Sequence, residues 1–488
     1  MERRDVAVIG GGLLGCFAAR ELSRYDLTAA LLEQREDVCT GISKANTAIV
    51  YPGYDTKPGS LKAQLTIRAN RDFPALCAEL DVPFSRCGSL MVSYGRRGDD
   101  VLREKLENGR AGGVPGLRLL SGGEARALEP GLREGVTSAL YAESTATADP
   151  WQLCYAAYEN ALHNGCRAYL STELTGIRRD GRAYVLETDR GELRAAAVVN
   201  CAGLYADKVQ ELLFPPSVRI FPDGADYLVL ERGAARLGHI IFHEPEDGGK
   251  GLTAVPTTGG SILLGPSRRR LGDSLWATRD EGLAFVAASA RAVLPQLDTG
   301  AVIRSFSAVR PNPHRVVRRD GEYVPDGGSI GSFVIEHPEP GFLSFIGVKT
   351  PGMTCARELG LLAARQIADH LGAKMRQDFD PRRRGIPGVR GLPFPARAAL
   401  VRENPAYGQV LCLCEDISEA EVLEAIARGA VTLDGVKRRC GATLGVCQGA
   451  RCDQAIAALL AQKLGVPTED VTRSGAGSYL TGGRHGTL

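Results

Sequence analysis

The sequence lacks an excess of either charge and any long apolar run. Its 59 lysines and arginines against 57 aspartates and glutamates leave a formal net charge of +2, which argues against a nucleic-acid binder or a polybasic membrane binder. No stretch approaches the roughly 18 to 20 apolar residues that a membrane-spanning helix needs. Because 44% of the residues are hydrophobic, the chain can bury large cores, and we expect a soluble protein of about two to four domains.

Cysteine is also sparse. The 13 cysteines, about 3% of the 488 residues, fall short of the roughly 8 to 10% that marks small disulfide scaffolds. Eight are scattered among apolar neighbours, whereas five lie between Cys412 and Cys452. This asymmetry predicts a reducing compartment and a C-terminal metal module. The N-terminal segment is too charged and too rich in glycine for a signal peptide, so we expect a cytoplasmic location.

Three glycines near the N-terminus have the spacing of a dinucleotide-binding turn. Gly10, Gly12 and Gly15 follow a predicted strand and open a predicted helix over residues 13–24. The first glycine permits a tight turn, the second lets a pyrophosphate approach the backbone, and the third lets the helix pack against the strand. A second predicted strand ends at Glu33, whose carboxylate suits a ribose hydroxyl. This order predicts a dinucleotide site, with an ordinary glycine-rich turn as the alternative.

The next segment, residues 40–53, is polar and glycine-bearing and then strand-like. Here the sequence begins to resemble the D-amino-acid-oxidase-like superfamily of FAD enzymes, and within it the glycerol-3-phosphate and L-2-hydroxyglutarate dehydrogenase branch. The resemblance extends, with gaps, over nearly the whole chain, and includes residues 58–62, 80–84 and 88–90. It implies FAD as cofactor, a Rossmann-like α/β FAD-binding fold and a β-rich substrate domain. It also implies that a polar stretch lies under the pyrophosphate and flavin, here with Ser43, Asn46 and Thr47.

Two later segments resemble further parts of the superfamily's FAD site. Residues 197–203 read as a strand that ends in small residues, which implies that Ala202 and Gly203 contact the cofactor. Leu174 resembles the residue that packs near the adenine. A hairpin strand with a tight turn is the alternative. A predicted strand over residues 342–346 leads into a loop that, by the resemblance, borders the flavin ring with Gly347, Pro351, Gly352, Met353 and Thr354.

The same loop carries Lys349, just before a predicted helix that reaches about Leu371. A helix N-terminus stabilises the negative charge that a reduced flavin develops, and a lysine would add a full positive charge. We therefore predict a catalytic role for Lys349. A solvated loop lysine is the alternative.

The predicted substrate site centres on Arg310. Residues 305–311 resemble the segment that carries the family's substrate arginine, and a guanidinium offers a bidentate fork to carboxylate or phosphate. Arg310 is therefore the predicted anion anchor, with an exposed structural arginine as the alternative.

The base that removes a hydroxyl proton is harder to assign. Hydroxyacid members of the family commonly carry histidine where this sequence has Tyr51, and tyrosine, with a reference pKa of about 10, is a poor base near neutral pH. His243 is a substitute by residue type, although a lone histidine is more often structural. An amine substrate would need no base, because it can lose its proton in solution.

Four C-terminal cysteines form the strongest motif. Cys412 and Cys414 are separated from Cys447 and Cys452 by a stretch with a capping-box helix and a second helix. Four thiolates from two loops can close a metal site. The spacings resemble the [2Fe-2S] domain of the bacterioferritin-associated-ferredoxin-like family, with zinc or four unrelated cysteines as alternatives. Cys440 falls outside the pattern.

These motifs predict a discontinuous domain organisation. The FAD-binding domain takes three segments, the substrate-binding domain two, and a Pro-, Gly- and Arg-rich linker leads to a small all-helical [2Fe-2S] domain and a tail. The FAD-binding domain is predicted to take residues 1–75, 145–210 and 331–375, and the substrate-binding domain residues 76–144 and 211–330. The linker is predicted over residues 376–408, the [2Fe-2S] domain over 409–465 and the tail over 466–488.

The pairing of these domains resembles the catalytic subunit of anaerobic glycerol-3-phosphate dehydrogenases and related opine and hydroxyproline dehydrogenase subunits. It implies a dehydrogenase of a small anionic hydroxy compound, glycerol 3-phosphate first, that passes electrons through the cluster. The implied acceptor is a partner flavoprotein subunit in a hetero-oligomer or a quinone, which would attach a cytoplasmic protein to the inner membrane. An amino-acid, opine or hydroxyproline dehydrogenase and a non-catalytic electron-transfer subunit are the alternatives.

Overall fold

The computed structural model describes residues 2–247, 251–268, 271–272 and 274–481. The described chain forms two compact units: the first takes Met1–Gln34 and Val38–Arg383, the second Arg35–Asp37 and Arg384–Leu488. The division after Arg383 falls inside the predicted linker, and residues 482–488 of the predicted tail lie outside the described residues. Among the helices that the structure describes, none combines the length and apolar character needed to cross a membrane.

The strands of the first unit build two large sheets and two small ones. In chain order they are β1 (Glu2–Ile9), β2 (Ala29–Leu32), β3 (Ile49–Val50), β4 (Phe84–Ser85), β5 (Ser89–Ser93), β6 (Leu117–Ser121), β7 (Ser138–Ala142), β8 (Ala146–Ala148), β9 (Arg167–Tyr169), β10 (Leu174–Asp180), β11 (Ala183–Thr188), β12 (Gly191–Asn200), β13 (Val218–Ile220), β14 (Asp223–Leu230), β15 (Ile240–His243), β16 (Thr253–Pro256), β17 (Ile262–Gly265), β18 (Val302–Arg310), β19 (Pro313–Arg319), β20 (Glu322–Pro325), β21 (Val334–Glu339) and β22 (Phe342–Ile346).

The first large sheet has a parallel centre. Strand β1 pairs in parallel with β2 on one side and with β12 on the other, and β12 pairs in parallel with β22. In these strands, residues 6–9 of β1, residues 197–200 of β12 and all of β2 and β22 are buried and nearly all apolar, as expected for a sheet covered on both faces. Their carboxyl ends meet at one edge, which is where open α/β sheets bind ligands. The predicted Rossmann-like FAD-binding fold is confirmed.

Helices cover this sheet. The helices of the first unit are α1 (Leu13–Leu22), α2 (Leu61–Leu80), α3 (Arg96–Ala111), α4 (Gly122–Leu128), α5 (Pro150–His163), α6 (Ala206–Glu211), α7 (Asp280–Val293) and α8 (Gly352–Leu371). Helices α1, α5 and α8 share the largest apolar core of the unit. A Cβ at Gly360 would lie 2.9 Å from the backbone of Phe17, so only glycine lets α8 approach α1 this closely.

The second large sheet follows the order β18-β14-β17-β16-β15-β5-β7-β6. Its strands come from the segments predicted for the substrate domain, and all but the β15–β5 pair are antiparallel. One face buries Tyr227 and Phe242, and the other buries Leu228 and Ile241. The alternation follows from the two-residue period of a strand, and it decides which side chains can meet over the active site.

The second unit consists mostly of helices: α9 (Phe394–Glu403), α10 (Glu419–Ala427), α11 (Leu433–Cys440) and α12 (Asp453–Leu464). The predicted capping box is present, because the Ser418 hydroxyl and the Glu421 carboxylate each accept a hydrogen bond from the other's backbone N–H. Two features differ from what the sequence predicts. A short antiparallel pair, β23 (Val410–Cys412) and β24 (Ile417–Ser418), joins the helices. Helix α9 lies in the predicted irregular linker, because a proline in the first turn does not prevent a helix.

Residues 35–37, predicted to belong to the FAD-binding domain, group with the second unit. The buried Asp37 carboxylate accepts two hydrogen bonds from the Arg439 guanidinium, at 2.6 and 2.8 Å, and Arg438 lies 3.6 Å away. The partners are 402 positions apart, so no local pattern could reveal this pair.

Candidate active site and four-cysteine cluster

The glycine-rich turn after β1 has no room for side chains at two of its three glycines. Gly10 has a φ of +103°, and a Cβ there would lie 2.6 Å from the Cys201 carbonyl oxygen. A Cβ at Gly15 would lie 1.8 Å from the Gly10 carbonyl oxygen. The first glycine therefore makes the tight turn, and the third lets α1 pack onto the end of β1.

The second glycine borders a helix N-terminus. Gly12 is the N-cap of α1 and provides no side-chain hydrogen bond. The Ser43 hydroxyl accepts a hydrogen bond from the backbone N–H of Leu13 at 3.0 Å, and a Cβ at Gly12 would lie 3.2 Å from the same hydroxyl oxygen. Gly12 and Ser43 thus line the positive end of α1, which suits a pyrophosphate.

Glu33 lies at the end of β2, beside this turn. Its carboxylate accepts a hydrogen bond from the backbone N–H of Gly11 at 2.7 Å. Leu174 and Ala202 both pack on the apolar cluster that contains Leu32, and Gly203 follows with a φ of +60°. The residues predicted from three separate motifs therefore lie around the same strand ends.

The loop after β22 brings a second helix N-terminus toward the substrate sheet. Gly347 has a φ of +67°, and a Cβ there would lie 2.7 Å from the ring of Pro313. Pro351 is the N-cap of α8, which begins with Gly352 and the buried Met353. In the first turn, the Thr354 hydroxyl accepts a hydrogen bond from the backbone N–H of Tyr51 at 3.0 Å.

Lys349, in the same loop, is tethered to the substrate sheet. Its ammonium donates to the Asn312 side-chain oxygen at 3.1 Å and to the Ser329 hydroxyl at 2.7 Å. Asn312 lies two residues beyond Arg310. A cation is therefore held close to the end of β18.

Arg310 projects from β18 on the same face as Tyr227 of the neighbouring β14. Its guanidinium lies beside the Tyr227 hydroxyl and opposes the rise in the Tyr227 pKa that burial causes, and the Tyr227 ring stacks on Phe306 with 5.1 Å between centroids. No carboxylate of the described residues lies within 4.0 Å of the guanidinium nitrogens. Arg310 thus lies next to a phenol and forms no ion pair with a described carboxylate. The sequence analysis did not predict Tyr227. The only available signal is that Tyr227 lies two residues from other apolar positions of β14, which places it on the same face of the strand.

Tyr51 follows β3 and lies near Arg310 and Tyr227. Its ring centroid is 6.3 Å from that of Phe242, and its hydroxyl accepts a hydrogen bond from Thr47. Asn46 accepts from the backbone N–H of Ala48 at 2.8 Å and so shapes the same turn. Burial raises the pKa of Tyr51 well above its ordinary value, more than the neighbouring Arg310 and Thr47 lower it. Tyr51 is therefore a hydrogen-bond donor near neutral pH, and not a base.

The structure places His243 away from this cluster. Phe242 contacts Tyr51, so the next residue on β15 points to the opposite face. There the His243 ring packs edge-on against Tyr94, 5.6 Å between centroids, and burial lowers its pKa. The prediction of His243 as a base is wrong, because residue type alone took no account of strand alternation.

The four motif cysteines converge in the second unit. The Cys412 thiol lies next to that of Cys452, and the Cys414 thiol lies next to that of Cys447, so each pair joins one cysteine from each loop. The Cys452 hydrogen bond lowers the pKa of Cys412 to about 6. Within the described residues, no group of three or more His, Cys, Asp and Glu side chains is in metal-binding geometry. A Cβ at Gly445 would lie 2.4 Å from the Cβ of Cys414.

The donor set fits a soft metal centre. Four thiols favour iron–sulfur clusters or zinc over hard cations. Cys440 donates to the Val436 carbonyl oxygen at 3.3 Å, along its own helix. Cys440 therefore does not form part of either thiol pair.

Comparison with known proteins relates the chain to two families. Residues 5–366 match the DAO family, described as FAD dependent oxidoreductase. Residues 410–462 match the BFD-like [2Fe-2S] binding domain. The two matches together span both units, and they imply FAD and a [2Fe-2S] cluster as the cofactors.

Three individual proteins illustrate the relationship. The chain is 35% identical over 487 residues to a glycerol 3-phosphate dehydrogenase of Caloramator mitchellensis, and the aligned region covers 98% of each chain. It is 30% identical over 282 residues to human mitochondrial L-2-hydroxyglutarate dehydrogenase, which covers 54% of this chain and 60% of the human one. Among solved structures, the dithionite-reduced, FAD-bound L-α-glycerophosphate oxidase of Mycoplasma pneumoniae has a TM-score of 0.70 at 23% identity, covering 78% of this chain and 98% of its own.

Proposed function

This chain belongs to the DAO family of FAD-dependent oxidoreductases, and from that premise we propose that it oxidises glycerol 3-phosphate or a similar small anionic hydroxy compound. The observation that carries the proposal is the Arg310 guanidinium, which lies beside the Tyr227 phenol on the face that Tyr51 also lines. The nearly full-length likeness to a glycerol 3-phosphate dehydrogenase supports this substrate.

The residues around the strand ends fit FAD. Gly12, Ser43 and the N-terminus of α1 would hold the pyrophosphate, Glu33 the ribose, and the loop that leads into α8 would border the flavin. When bound, FAD supplies a two-electron acceptor for the hydride of the substrate. The N-terminus of α8 and the tethered Lys349 would place positive charge at this end of the site.

The side chains of the substrate sheet then have separable roles. Arg310 would bind the anionic group of the substrate, and Tyr227 would keep the guanidinium in place. The Tyr51 phenol would donate a hydrogen bond to the substrate, because burial keeps it protonated. Apolar neighbours such as Phe242 and Phe306 exclude water from this face.

We further propose that Cys412, Cys414, Cys447 and Cys452 hold the [2Fe-2S] cluster. Such a cluster transfers electrons one at a time. A two-electron oxidation needs this transfer only when the final electron acceptor lies outside the substrate site. A partner flavoprotein subunit or a quinone at the inner membrane is the acceptor that we propose.

Gly15→Ala is expected to abolish stable FAD binding, because its Cβ would lie 1.8 Å from the Gly10 carbonyl oxygen and force α1 away from β1. The measurement is the flavin-to-protein absorbance ratio after gel filtration. Gly123→Ala is the matched control, since Gly123 lies in α4, outside the FAD-binding segments, with no neighbour within 4 Å and no positive φ. If both variants retain FAD equally, the assignment of the glycine-rich turn is wrong.

Anaerobic titration of the purified protein tests the proposed reaction. Glycerol 3-phosphate is expected to bleach the oxidised-flavin absorbance band, with L-2-hydroxyglutarate and a panel of amino acids as comparison substrates. Bleaching by an amino acid and by no hydroxy compound would contradict the proposal. Failure of every compound would favour the non-catalytic alternative.

A second candidate, oxidation of an amino acid or opine, is favoured by one observation. Tyr51 stands where hydroxyacid relatives commonly have a histidine, and its raised pKa removes it as a base. An amine substrate loses its proton in water and needs no base at this position. The same titration separates the two candidates.

A further inference from the structure

An ion pair lies against the loops that carry the four motif cysteines. Glu415 directly follows Cys414, and its carboxylate accepts a hydrogen bond from the Arg390 guanidinium at 2.9 Å. Only 11% of the Glu415 side chain is exposed, whereas 35% of the Arg390 side chain is exposed. Both residues belong to the second unit. The pair therefore brings one charge of each sign to this region, and the negative charge is the more deeply buried.

The loop that leads to the other two cysteines packs directly on this carboxylate. A Cβ at Gly445 would lie 2.4 Å from the Cβ of Cys414 and 3.0 Å from a carboxylate oxygen of Glu415. Gly445 precedes Cys447 by two residues. Because only a residue without a side chain fits at this point, the Glu415 carboxylate lies beside both of the segments that carry cysteines.

A charge in this position acts on the electron that a [2Fe-2S] cluster gains on reduction. Reduction adds one negative charge, which a nearby carboxylate disfavours and a nearby guanidinium favours. Net charge, hydrogen bonds to the sulfurs and solvent exposure set the reduction potential of such a cluster. Water screens the partly exposed guanidinium more than it screens the buried carboxylate. The two charges of the pair therefore act in opposite directions and with unequal strength.

We propose that the Arg390–Glu415 pair adjusts the reduction potential of the [2Fe-2S] cluster, with Glu415 lowering it and Arg390 raising it. The inference rests on the proposed function in taking the four cysteines as the ligands of the cluster. Neither Arg390 nor Glu415 binds iron, and each acts through its charge. The pair thereby decides how much of the cluster is reduced at a given ambient potential.

The test is a redox titration of the FAD- and cluster-loaded protein, in which electron paramagnetic resonance reports the reduced cluster. Glu415→Gln is expected to raise the ratio of reduced to oxidised cluster at a fixed ambient potential by about 3- to 10-fold, the effect of one charge near a partly exposed centre. This ratio corresponds to a potential higher by about 30 to 60 mV. Arg390→Gln should lower the ratio, by a smaller factor because the guanidinium is more exposed.

The opposite signs distinguish an electrostatic role from a structural one. Damage to the packing of the loops would move both variants in the same direction, whereas loss of opposite charges moves them apart. The signs do not depend on the other partners of either residue, because each substitution removes one unit charge and leaves those partners in place. A double variant with both substitutions should lie between the two single variants. Glu415→Asp, which keeps the charge, should stay closer to the unaltered protein than Glu415→Gln does.

The matched control lies on α10 of the same unit. Glu424 pairs with Arg428 at 2.8 Å, but 41% of the Glu424 side chain is exposed, so water screens its charge. Glu424→Gln makes the same chemical change as Glu415→Gln and should leave the ratio close to that of the unaltered protein.

An unchanged ratio in Glu415→Gln, shifts of the same sign in Glu415→Gln and Arg390→Gln, or an equal shift in Glu424→Gln would overturn the proposal. If Glu415→Gln does not assemble the cluster, Arg390→Gln decides, since a raised or unchanged ratio there contradicts the proposal. Loss of the cluster in both variants would show a structural role and overturn it as well.

The unaltered protein separates these outcomes from a failure of the proposed function. If it shows no cluster signal, the cysteine assignment is wrong and the role of the pair falls with it. If the signal is present and the two variants shift apart, but no candidate substrate bleaches the flavin, only the proposed reaction is overturned.

Discussion

Replacing Cys452 by serine is expected to remove the [2Fe-2S] cluster while leaving FAD in place. Cys452 is buried, and its thiol contacts that of Cys412 from the other loop. A serine hydroxyl is a poor ligand for a centre that thiolates normally hold. The residues that we propose to bind FAD, Gly10, Gly12 and Glu33, lie in the other compact unit, which has its own apolar core, so the flavin should remain bound.

Absorbance and electron paramagnetic resonance spectra of the reduced protein check this result. The signal of the reduced cluster should disappear, whereas the flavin band should persist. Electron transfer from substrate to an external one-electron acceptor should then slow markedly, while flavin bleaching by substrate should continue. Cys440→Ser is the control, because Cys440 donates along its own helix. Loss of the signal in Cys440→Ser and not in Cys452→Ser would show that the four-ligand assignment is wrong.

Arg310→Ala is expected to lower kcat/KM for the anionic substrate by about 100-fold or more, since truncating a partly buried charge partner costs roughly 2 to 5 kcal/mol. Most of the loss should appear as a raised KM, because the guanidinium binds the substrate both before and during the reaction. Steady-state kinetics with an artificial electron acceptor measures both parameters.

Two variants control for this experiment. Arg310→Lys keeps the charge but loses the planar fork, so it should recover part of the affinity and not all of it. Arg304→Ala removes an exposed arginine from the same strand and should leave kcat/KM close to that of the unaltered protein. A similar loss in Arg304→Ala would indicate a general charge effect and not a specific anchor.

Much of the fold could be predicted because its signals are local. The glycines after β1, the capping box at Ser418 and the helix that follows residues 347–351 all lie within a few residues of the elements they specify. The cysteine motifs are equally local, although each contributes only half of a four-cysteine site. Where the residues that determine an element lie within it or next to it, the prediction from sequence agreed with the structure.

The errors share a different origin. Helix α9 was missed because its prolines occupy the first turn, where they are compatible with a helix. His243 was chosen by residue type, but the alternation of β15 directs it to Tyr94 and its neighbour Phe242 to Tyr51. In both cases the position within the element mattered more than the composition.

The sequence alone specified the cofactor chemistry, because the glycines, the acid at Glu33 and the four cysteines need only their spacing to be recognised. The tertiary structure decided how the residues proposed for the substrate side of the site are arranged. Arg310 and Tyr227 come together through the register of β14 against β18, and Tyr51 reaches them from a different sheet. Register and packing depend on contacts between residues far apart in the chain, so neither is contained in any short stretch of sequence.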